Sequence, residues 1–314
     1  MDMDIKRVDT KSEYEALRAL WCDTFGDGPE FVDAVYEKLG AEGWFIPGES
    51  GMDSALTLYE CGEYDGRKVF VSYAICTAPA ARDRGLAGEL VKAVRDLVVS
   101  GPEKSGLESN IVKAPGLSAV TPAEESLYEF YEKLGYRKYF YEDRVSFSYD
   151  PDWLVMDGDG SDDYAPEILM EPVGAAEYNK LREYYLLGVP HIRVRDEIIE
   201  LSAPDGLDGQ NIYKINHGAA ICILSESPAE AAGNRAGEIR FEEFIADANL
   251  DAGLGVAEAL SSRLMIRGSV SYSRPATALH DIDCPGVTYP ATMIAGNADA
   301  YDEGFLPYYG FPME

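Results

Sequence analysis

The chain has 314 residues, of which 46% are hydrophobic and 26% charged, a composition typical of a folded protein rather than a disordered one. Its formal net charge is −29, from 56 acidic and 27 basic residues, which argues against sequence-independent binding to nucleic acid. The five cysteines never form a CxxC pair and the three histidines are isolated, so the composition indicates neither a disulfide framework nor a metal site.

The opening segment, MDMDIKRV, lacks the basic stretch and apolar core of a secretory signal. Nowhere do about 18 apolar residues follow one another, as a membrane span needs. We therefore expect a cytoplasmic protein with no membrane partner. Because the chain is acidic, any polyanionic ligand must be held by local N–H donors and local positive charge.

The first predicted elements are a short strand at residues 5–8 and a helix over KSEYEALRALWCDTF. Ser12 and Glu15 fit the S-x-x-E capping box, which satisfies N–H groups at the start of a helix. Apolar residues follow at helical spacing. The sequence therefore predicts a strand and then an amphipathic helix.

Two strands are predicted at residues 55–59 and 68–76, on either side of Asp65-Gly66. An Asp-Gly pair is a strong hairpin signal, because both central residues of the tight turn need positive φ. The second arm, KVFVSYAIC, is β-branched and aromatic throughout. This composition is typical of a central strand.

From Arg84 the hydrophobic period changes to that of a helix, which ends near residues 100–102. Its apolar face consists of Leu86, Leu90, Val91, Val94, Leu97 and Val98. A helix with one apolar face packs that face against other elements of the fold.

The next helix has a clear predicted start and stop. Thr121 is expected to cap it, with Pro122 in the first position and Glu124 closing a capping box. Gly135 is expected to end it. The run of residues 136–149 then predicts a long strand.

Residues 150–167, DPDWLVMDGDGSDDYAPE, are rich in Asp, Gly and Pro, which predicts an acidic linker between domains of residues 1–149 and 168–314. Three patterns recur in the same order in both halves. They are EYxxLR at residues 13–18 and 177–182, Gly85-Leu86-Ala87 and Gly253-Leu254-Gly255, and Leu134-Gly135-Tyr136 and Tyr309-Gly310-Phe311. The ordered set indicates a fold duplicated in tandem.

The segment from Ile75 to Gly88, ICTAPAARDRGLAG, passes from a strand into a helix through a turn that contains glycine. Free N–H groups and the dipole at a helix start attract anions, and glycine lets a phosphate approach the backbone closely. Arg82 and Arg84 supply positive charge that the acidic chain otherwise lacks. The segment therefore predicts a phosphate-binding turn.

Arg82-x-x-Gly85-x-Ala87 resembles the R/Q-x-x-G-x-G/A signature of the GCN5-related N-acetyltransferase (GNAT) family. SLYEFYEKLGY, further along, is similar to the family segment F-Y-x-K-L-G-F, and LWCDTFGD is similar to the first helix of bacterial members. The resemblance covers the first half of the chain and, less specifically, the second. Two positions depart from the family, because Glu124 stands where many members have Asn and Ala81 replaces an aromatic residue.

The resemblance implies a mixed α/β fold with a splayed sheet, in which acyl-CoA lies between two central strands. The pyrophosphate would contact the backbone of the turn, and the pantetheine arm would pair with the strand before it. The coenzyme-binding residues so implied are Ile75, Cys76, Thr77, Arg82, Asp83, Arg84, Gly85, Leu86, Ala87 and Gly88.

The same resemblance makes Tyr131 the acid that protonates the departing CoA thiolate. A phenol suits this role, since its pKa of about 10 leaves it protonated at neutral pH. Helical spacing alone favours a core position for this ring, beside Leu127, Phe130 and Leu134. The resemblance favours the catalytic role.

The acceptor amine must lose a proton before it attacks, because a lysine-like amine is protonated at neutral pH. Candidates for the base are Glu30, Glu60, Tyr73, Glu124 and Glu125. A chain of water molecules is an alternative, and the sequence does not choose among them. Cys76 is interpreted as a small strand residue, since nothing near it in sequence would lower its pKa.

The second half lacks both the arginine of the phosphate turn and the phenol of the predicted acid. Leu250 stands at the position of Arg82, and Leu306 stands at that of Tyr131. We expect this half to be a catalytically degraded copy. It would shape the acceptor side of the cleft or form a dimer contact, so a homo-oligomer stays open.

The predicted function is transfer of an acetyl group from acetyl-CoA, as cosubstrate, to a small-molecule or peptide amine, directly and in a ternary complex. No metal is expected. The alternative is a non-catalytic acyl-CoA-binding regulatory protein with the same fold. A tandem transferase that uses aminoacyl-tRNA is disfavoured by the strongly negative charge.

Overall fold

The computed structural model describes residues 3–48, 51–149, 169–202, 212–216, 220–224, 239–246, 268–275, 286–298 and 306–310. The predicted linker, the Gly253-Leu254-Gly255 repeat and Leu250 lie outside these ranges. Within them, no helix is long and apolar enough to cross a membrane. No group of His, Cys, Asp and Glu in the same ranges could hold a metal ion.

A mixed sheet of 13 strands forms the centre of the described structure. The strands are β1 Lys6–Arg7, β2 Glu42–Gly48, β3 Gly51–Tyr64, β4 Arg67–Thr77, β5 Leu117–Val120, β6 Arg137–Tyr149, β7 Met170–Pro172, β8 Arg193–Val194, β9 Ile212–Ile215, β10 Ala220–Leu224, β11 Ile239–Ala246, β12 Gly268–Pro275 and β13 Gly286–Ala295. The helices are α1 Lys11–Phe25, α2 Pro29–Leu39, α3 Leu86–Ser100, α4 Pro102–Ser105, α5 Ser126–Lys133, α6 Ala175–Tyr185 and α7 Asp196–Ser202.

The strand order is β1-β2-β3-β4-β5-β13-β6-β12-β11-β10-β9-β7, and β8 pairs with β3. Two neighbouring pairs are parallel, β4 with β5 and β11 with β12. They lie at equivalent distances from the central pair of β13 and β6. Each half's last strand lies beside the other half's parallel pair. The sheet therefore has the internal symmetry that the predicted duplication requires.

The hairpin and the long amphipathic helix are confirmed. Asp65 and Gly66, between β3 and β4, have φ values of +49° and +70°, as the tight turn needs. Helix α3 begins at Leu86, and all six predicted apolar residues on its face are buried. The strand predicted at residues 136–149 is also present, as β6.

The capping box predicted for α1 is wrong, because Thr10 and Glu13 form it rather than Ser12 and Glu15. The Thr10 hydroxyl accepts from the Glu13 N–H at 3.3 Å, and the Glu13 carboxylate accepts from the Thr10 N–H at 2.9 Å. Both pairs fit the same sequence pattern. The earlier pair caps the helix because the helix already begins at Lys11.

The cap predicted for α5 at residues 121–124 is also wrong. The helix begins at Ser126, and Glu125 before it makes no side-chain cap bond. The Thr121 hydroxyl instead pairs with that of Thr292 on β13 at 2.9 Å. A contact with the second half therefore replaces the local cap.

Two apolar clusters pack against opposite faces of the sheet. On one face, Leu90 and Val94 of α3 pack in a cluster with Leu58 and Phe70. The cluster on the other face includes residues of both halves, among them Trp21, Tyr59, Tyr178, Ile198 and Tyr309. One continuous core therefore joins the two halves.

The second half also contacts β3 directly through β8. A Cβ atom at Gly62 would lie 2.1 Å from the carbonyl oxygen of Arg193, so the two backbones approach closely. The Arg195 N–H donates to the Cys61 carbonyl at 3.1 Å, and its guanidinium donates to the Leu39 carbonyl at 3.1 Å. These contacts fix the second half beside the strands that form the site.

Candidate active site

Strands β4 and β5 pair over a short stretch and then separate. The pairing runs from Val69 to Val71, and β5 ends at Val120. Beyond Val71, no strand in the described ranges pairs with this side of β4, although β3 stays paired on its other side. The separation leaves an edge of β4, up to Thr77, at which an extended ligand can pair with backbone groups.

A β-bulge lies at the start of this open edge. Tyr73 pairs with Thr57 and Cys76 with Ala55, so β4 carries one extra residue between them. Ala74 within the bulge has a φ of +48°. Bulges re-aim side chains, and here the consecutive residues Tyr73 and Ala74 pack against the same apolar cluster, while Ile75 packs against the other.

The cavity lies where the two strands separate, and its volume is about 270 Å³. Its wall combines residues from the end of α1, from β3 and β4, from α5 and from the C-terminal segment. These residues are Trp21, Phe25, Asp27, Tyr59, Val71, Ser72, Tyr73, Ala74, Ile75, Thr121, Ala123, Leu127, Tyr131 and Tyr309. The cavity therefore joins the predicted pantetheine strand to the predicted acid.

The predicted phosphate turn follows directly on β4. It contains a 3₁₀ turn at Pro79–Ala81 and two residues with positive φ, Asp83 at +62° and Gly85 at +74°. Gly85 is the N-cap of α3, and no side chain caps this helix. The N–H groups of its first turn therefore have no side-chain acceptor, an arrangement that suits an anion.

The two arginines of the turn are exposed but differ in their partners. Arg84 forms a 2.7 Å ion pair with Asp53, which neutralises part of its charge. Arg82 has no carboxylate partner in the described ranges, and its Nε atom lies 3.4 Å from the Thr77 carbonyl oxygen. Arg82 therefore carries the positive charge of the turn that a bound anion can use.

Tyr131 lies in the cavity wall because α5 packs against α3. A Cβ atom at Gly88 would contact Phe130 and Leu134 at 3.7 and 3.8 Å, so the two helices are close there. Tyr131 is 6% exposed, and its hydroxyl makes no hydrogen bond to another residue in the described ranges. Burial raises its pKa to about 12, so the phenol stays protonated at neutral pH.

Cys76 has the environment of a structural residue. Its thiol is buried and donates to the Ala55 carbonyl at 3.7 Å. Burial raises its pKa to about 12. A thiol that stays protonated at neutral pH is a poor nucleophile, which agrees with the interpretation from sequence.

Of the five candidates for the base, Tyr73 lies in the cavity wall. The glutamates are absent from the described wall, and Glu60 forms a 2.6 Å ion pair with Lys68. The carboxylate that does line the cavity is Asp27. It belongs to the motif LWCDTFGD, but its spacing gave no sign that it would face the site.

Two further residues of the wall were missed, Ser72 and Tyr309. Both side chains are buried. The Ser72 hydroxyl interacts with Tyr136, and the Tyr309 hydroxyl interacts with Tyr59 and Cys61. Both residues are therefore held in place by polar neighbours in the core, and these long-range partners could not be found from sequence.

The second half retains part of the third repeat. Gly310 has a φ of +80°, close to the +84° of Gly135. Leu306, the predicted counterpart of Tyr131, lies in the described segment 306–310 and is not helical there. No phenol therefore stands at this position in the second half.

No protein-family model and no curated protein matches the sequence. Solved structures do match the fold. A conserved protein from Enterococcus faecalis is 13% identical with a TM-score of 0.61, over 94% of this chain and 72% of its own. A GCN5-related N-acetyltransferase from Anabaena variabilis is 14% identical with a TM-score of 0.59, over 93% and 72%.

A third structure, a tandem GNAT protein from the clavulanic acid biosynthesis pathway, is 12% identical with a TM-score of 0.51. The match covers 95% of this chain and all of that one. The chain therefore has the GNAT fold, and the predicted fold class is confirmed.

Proposed function

We propose that the protein is an N-acetyltransferase, which moves an acetyl group from acetyl-CoA to a primary amine by direct transfer in a ternary complex. The observation that carries this proposal is the cavity in which the open edge of β4, at Ile75, meets Tyr131. The GNAT fold supports it, because the structures similar in fold include a GCN5-related N-acetyltransferase.

The residues present fit acetyl-CoA. The backbone of Ile75, Cys76 and Thr77 lies on the open edge of β4 and would pair with the pantetheine arm. The uncapped start of α3 and the Arg82 guanidinium would hold the pyrophosphate. Together they provide the local donors and positive charge that a polyanion needs on an acidic protein.

Acetyl-CoA supplies an activated acetyl thioester and a thiol leaving group. A C–N bond forms to the amine as the C–S bond breaks, and Tyr131 gives its proton to the departing sulfur and regains one from solvent. The substrate ammonium loses two protons in all, so each turnover releases one proton. The cavity contributes mainly by holding the two reactants in contact.

The test is release of CoA thiol from acetyl-CoA by the full-length chain with a panel of primary amines. A parallel heat-shift measurement reports binding of acetyl-CoA alone. We expect stabilisation by acetyl-CoA and amine-dependent release of thiol. Stabilisation without release across the panel would support the non-catalytic binding protein instead, and absence of any stabilisation would overturn the coenzyme site as well.

A further inference from the structure

One part of the cavity wall is formed neither by Tyr131 nor by the predicted pantetheine-binding residues Ile75, Cys76 and Thr77. It contains Trp21 and Asp27 from the end of α1, Tyr59 on β3, Tyr73 on β4, and Tyr309. Trp21 and Tyr73 pack edge to face with centroids 5.3 Å apart, and Tyr59 and Tyr73 do so at 6.2 Å. Four aromatic rings and one carboxylate therefore line the same space.

The carboxylate of Asp27 lies in this part of the wall, and the described residues give it a single hydrogen bond. Its Oδ2 atom accepts from the Trp21 indole N–H at 2.6 Å, while Oδ1 accepts no hydrogen bond from the described residues. Burial and then the charge of Asp27 raise the pKa of Tyr73, so the two groups are close. No Lys, Arg or His lies in the described wall, so the carboxylate has no cationic partner there.

Tyr309 is held rigidly although it comes from the second half. Its carbonyl accepts from Arg182 Nη2 at 2.7 Å. The preceding Tyr308 donates its hydroxyl to Glu243 at 2.8 Å and its N–H to the Pro190 carbonyl at 2.8 Å. The hydroxyl of Tyr309 interacts with Tyr59 and Cys61, so the residue is held at its backbone and at the end of its ring. A ring fixed in this way gives the cavity wall a constant shape, which suits recognition of a ligand.

We propose that this wall binds the acceptor, a small amine whose ammonium group contacts Asp27 and the surrounding aromatic faces and whose body is apolar. Tyr309 makes the second half a determinant of acceptor specificity. This inference rests on the proposed function, since the same cavity would hold the acetyl group.

Two physical arguments support this class of acceptor. Ammonium groups bind to aromatic faces and gain more when they are desolvated, and a carboxylate beside the rings adds direct charge attraction. The cavity of about 270 Å³ lies just below the roughly 300–1,000 Å³ that is usual for ligand pockets. It therefore suits a small molecule better than a bulky acceptor.

The experiment is calorimetric titration of the full-length chain with matched amines and alcohols, in the absence of acetyl-CoA. The pairs are 2-phenylethylamine with 2-phenylethanol, and hexylamine with 1-hexanol, so that the aromatic or aliphatic nature of the body is tested separately from the charge. At neutral pH we expect each amine to bind about tenfold more tightly than its alcohol.

The decisive variant is Asp27→Asn, which removes the charge but keeps an oxygen to accept from Trp21. We expect its affinity for the amines to fall about tenfold, to that of the alcohols. Asp23→Asn is the matched control, because Asp23 lies four residues earlier, on the exposed surface of α1, and is absent from the wall.

The contribution of the second half is tested with Tyr309→Leu, which removes the ring and hydroxyl, and with Tyr309→Phe, which removes the hydroxyl alone. Tyr184→Leu is the control, because Tyr184 is 64% exposed. We expect both Tyr309 variants, but not the control, to weaken amine binding. Melting temperatures show whether Tyr309→Leu still folds, and Tyr309→Phe tests the residue where it does not.

Equal binding of amine and alcohol, or unchanged amine affinity in Asp27→Asn, would overturn the acceptor site. The proposed function fails by a different result, which is absence of acetyl-CoA binding in the heat-shift assay. Amine binding that depends on Asp27 would stand even then, so the two failures are distinguishable.

Discussion

The Nη2 atom of Arg182 lies 2.7 Å from the carbonyl oxygen of Tyr309, so a helix of the second half holds the residue that completes the cavity wall. The same guanidinium donates from Nε to Glu243 at 3.0 Å, and both side chains are fully buried. Tyr178 and Tyr308 donate to that carboxylate at 2.9 and 2.8 Å. The buried charges are therefore surrounded by polar partners.

Replacement of Arg182 by Met should destabilise the fold strongly, because it leaves the Glu243 charge buried without its ion-pair partner. Loss of one member of a buried pair costs about 3–5 kcal/mol. Urea unfolding of the full-length chain measures this loss.

The control is Arg18→Met, at the equivalent position of the EYxxLR repeat. Arg18 is 33% exposed and pairs with Asp33 at the surface, where ion pairs contribute little. We expect a much smaller loss of stability there. Equal losses in Arg18→Met and Arg182→Met would contradict a special role for the buried network.

Sequence patterns predicted the elements whose signals are local. Asp65-Gly66 forms its turn, and the apolar face of α3 is buried as its period requires. Helix starts were predicted less well, because a capping pattern can be satisfied at more than one position, as at Thr10. The contact of Thr121 with Thr292 shows that distant partners also decide where a helix begins.

The residues of the candidate site also divide into those with a local sequence signal and those placed by long-range contacts. The motif containing Ile75 and the segment containing Tyr131 were found from sequence, and both lie in one cavity wall. Tyr309 could not be placed in that wall, because its position depends on long-range contacts such as the hydrogen bond from Arg182 to its carbonyl. Asp27 lay within a recognised motif, but its direction depends on the end of α1 and not on spacing.

The phosphate turn is tested by Gly85→Glu with Gly106→Glu as control. Both glycines have a φ of +74° and open space where a Cβ would lie, so strain of about 1–2 kcal/mol is expected in each. The carboxylate lies at the start of α3 only in Gly85→Glu, where it would repel a pyrophosphate.

We expect the acetyl-CoA dissociation constant, measured by calorimetry, to rise at least about tenfold in Gly85→Glu. Gly106→Glu should bind acetyl-CoA like the wild-type chain. Similar affinities in the two variants would argue against an anion site at the turn.

The acid role is tested by Tyr131→Phe, which should lower kcat about 100-fold or more and leave acetyl-CoA affinity unchanged. Tyr128→Phe is the control on the same helix, since the Tyr128 hydroxyl bonds the Pro290 carbonyl and is absent from the cavity wall. Steady-state kinetics and calorimetry separate the two effects.

The pH dependence gives a second readout of Tyr131. Burial disfavours the phenolate and raises the pKa to about 12, so the proton is retained throughout the range from pH 7 to 10. The rate should rise across this range as the substrate amine loses its proton, without a descending limb. A descending limb near pH 9 that disappears in Tyr131→Phe would contradict the raised pKa.

The contact between the halves is tested by Gly62→Ala. A Cβ atom there would lie 2.1 Å from the carbonyl oxygen of Arg193, and backbone cannot move aside as a flexible side chain can. β8 must therefore shift away from β3, at a cost of about 1–3 kcal/mol. Gly51→Ala is the control, because Gly51 also has a positive φ but no atom within 4 Å of the added Cβ.

We expect Gly62→Ala to melt at a lower temperature than Gly51→Ala and to exchange the Arg195 amide hydrogen faster. That amide donates to the Cys61 carbonyl at 3.1 Å across the same contact, so its protection reports whether β8 stays in place. Because Tyr309 depends on the position of the second half, amine binding should weaken in parallel. Unchanged exchange at Arg195 in Gly62→Ala would mean that the two backbones tolerate the added methyl group.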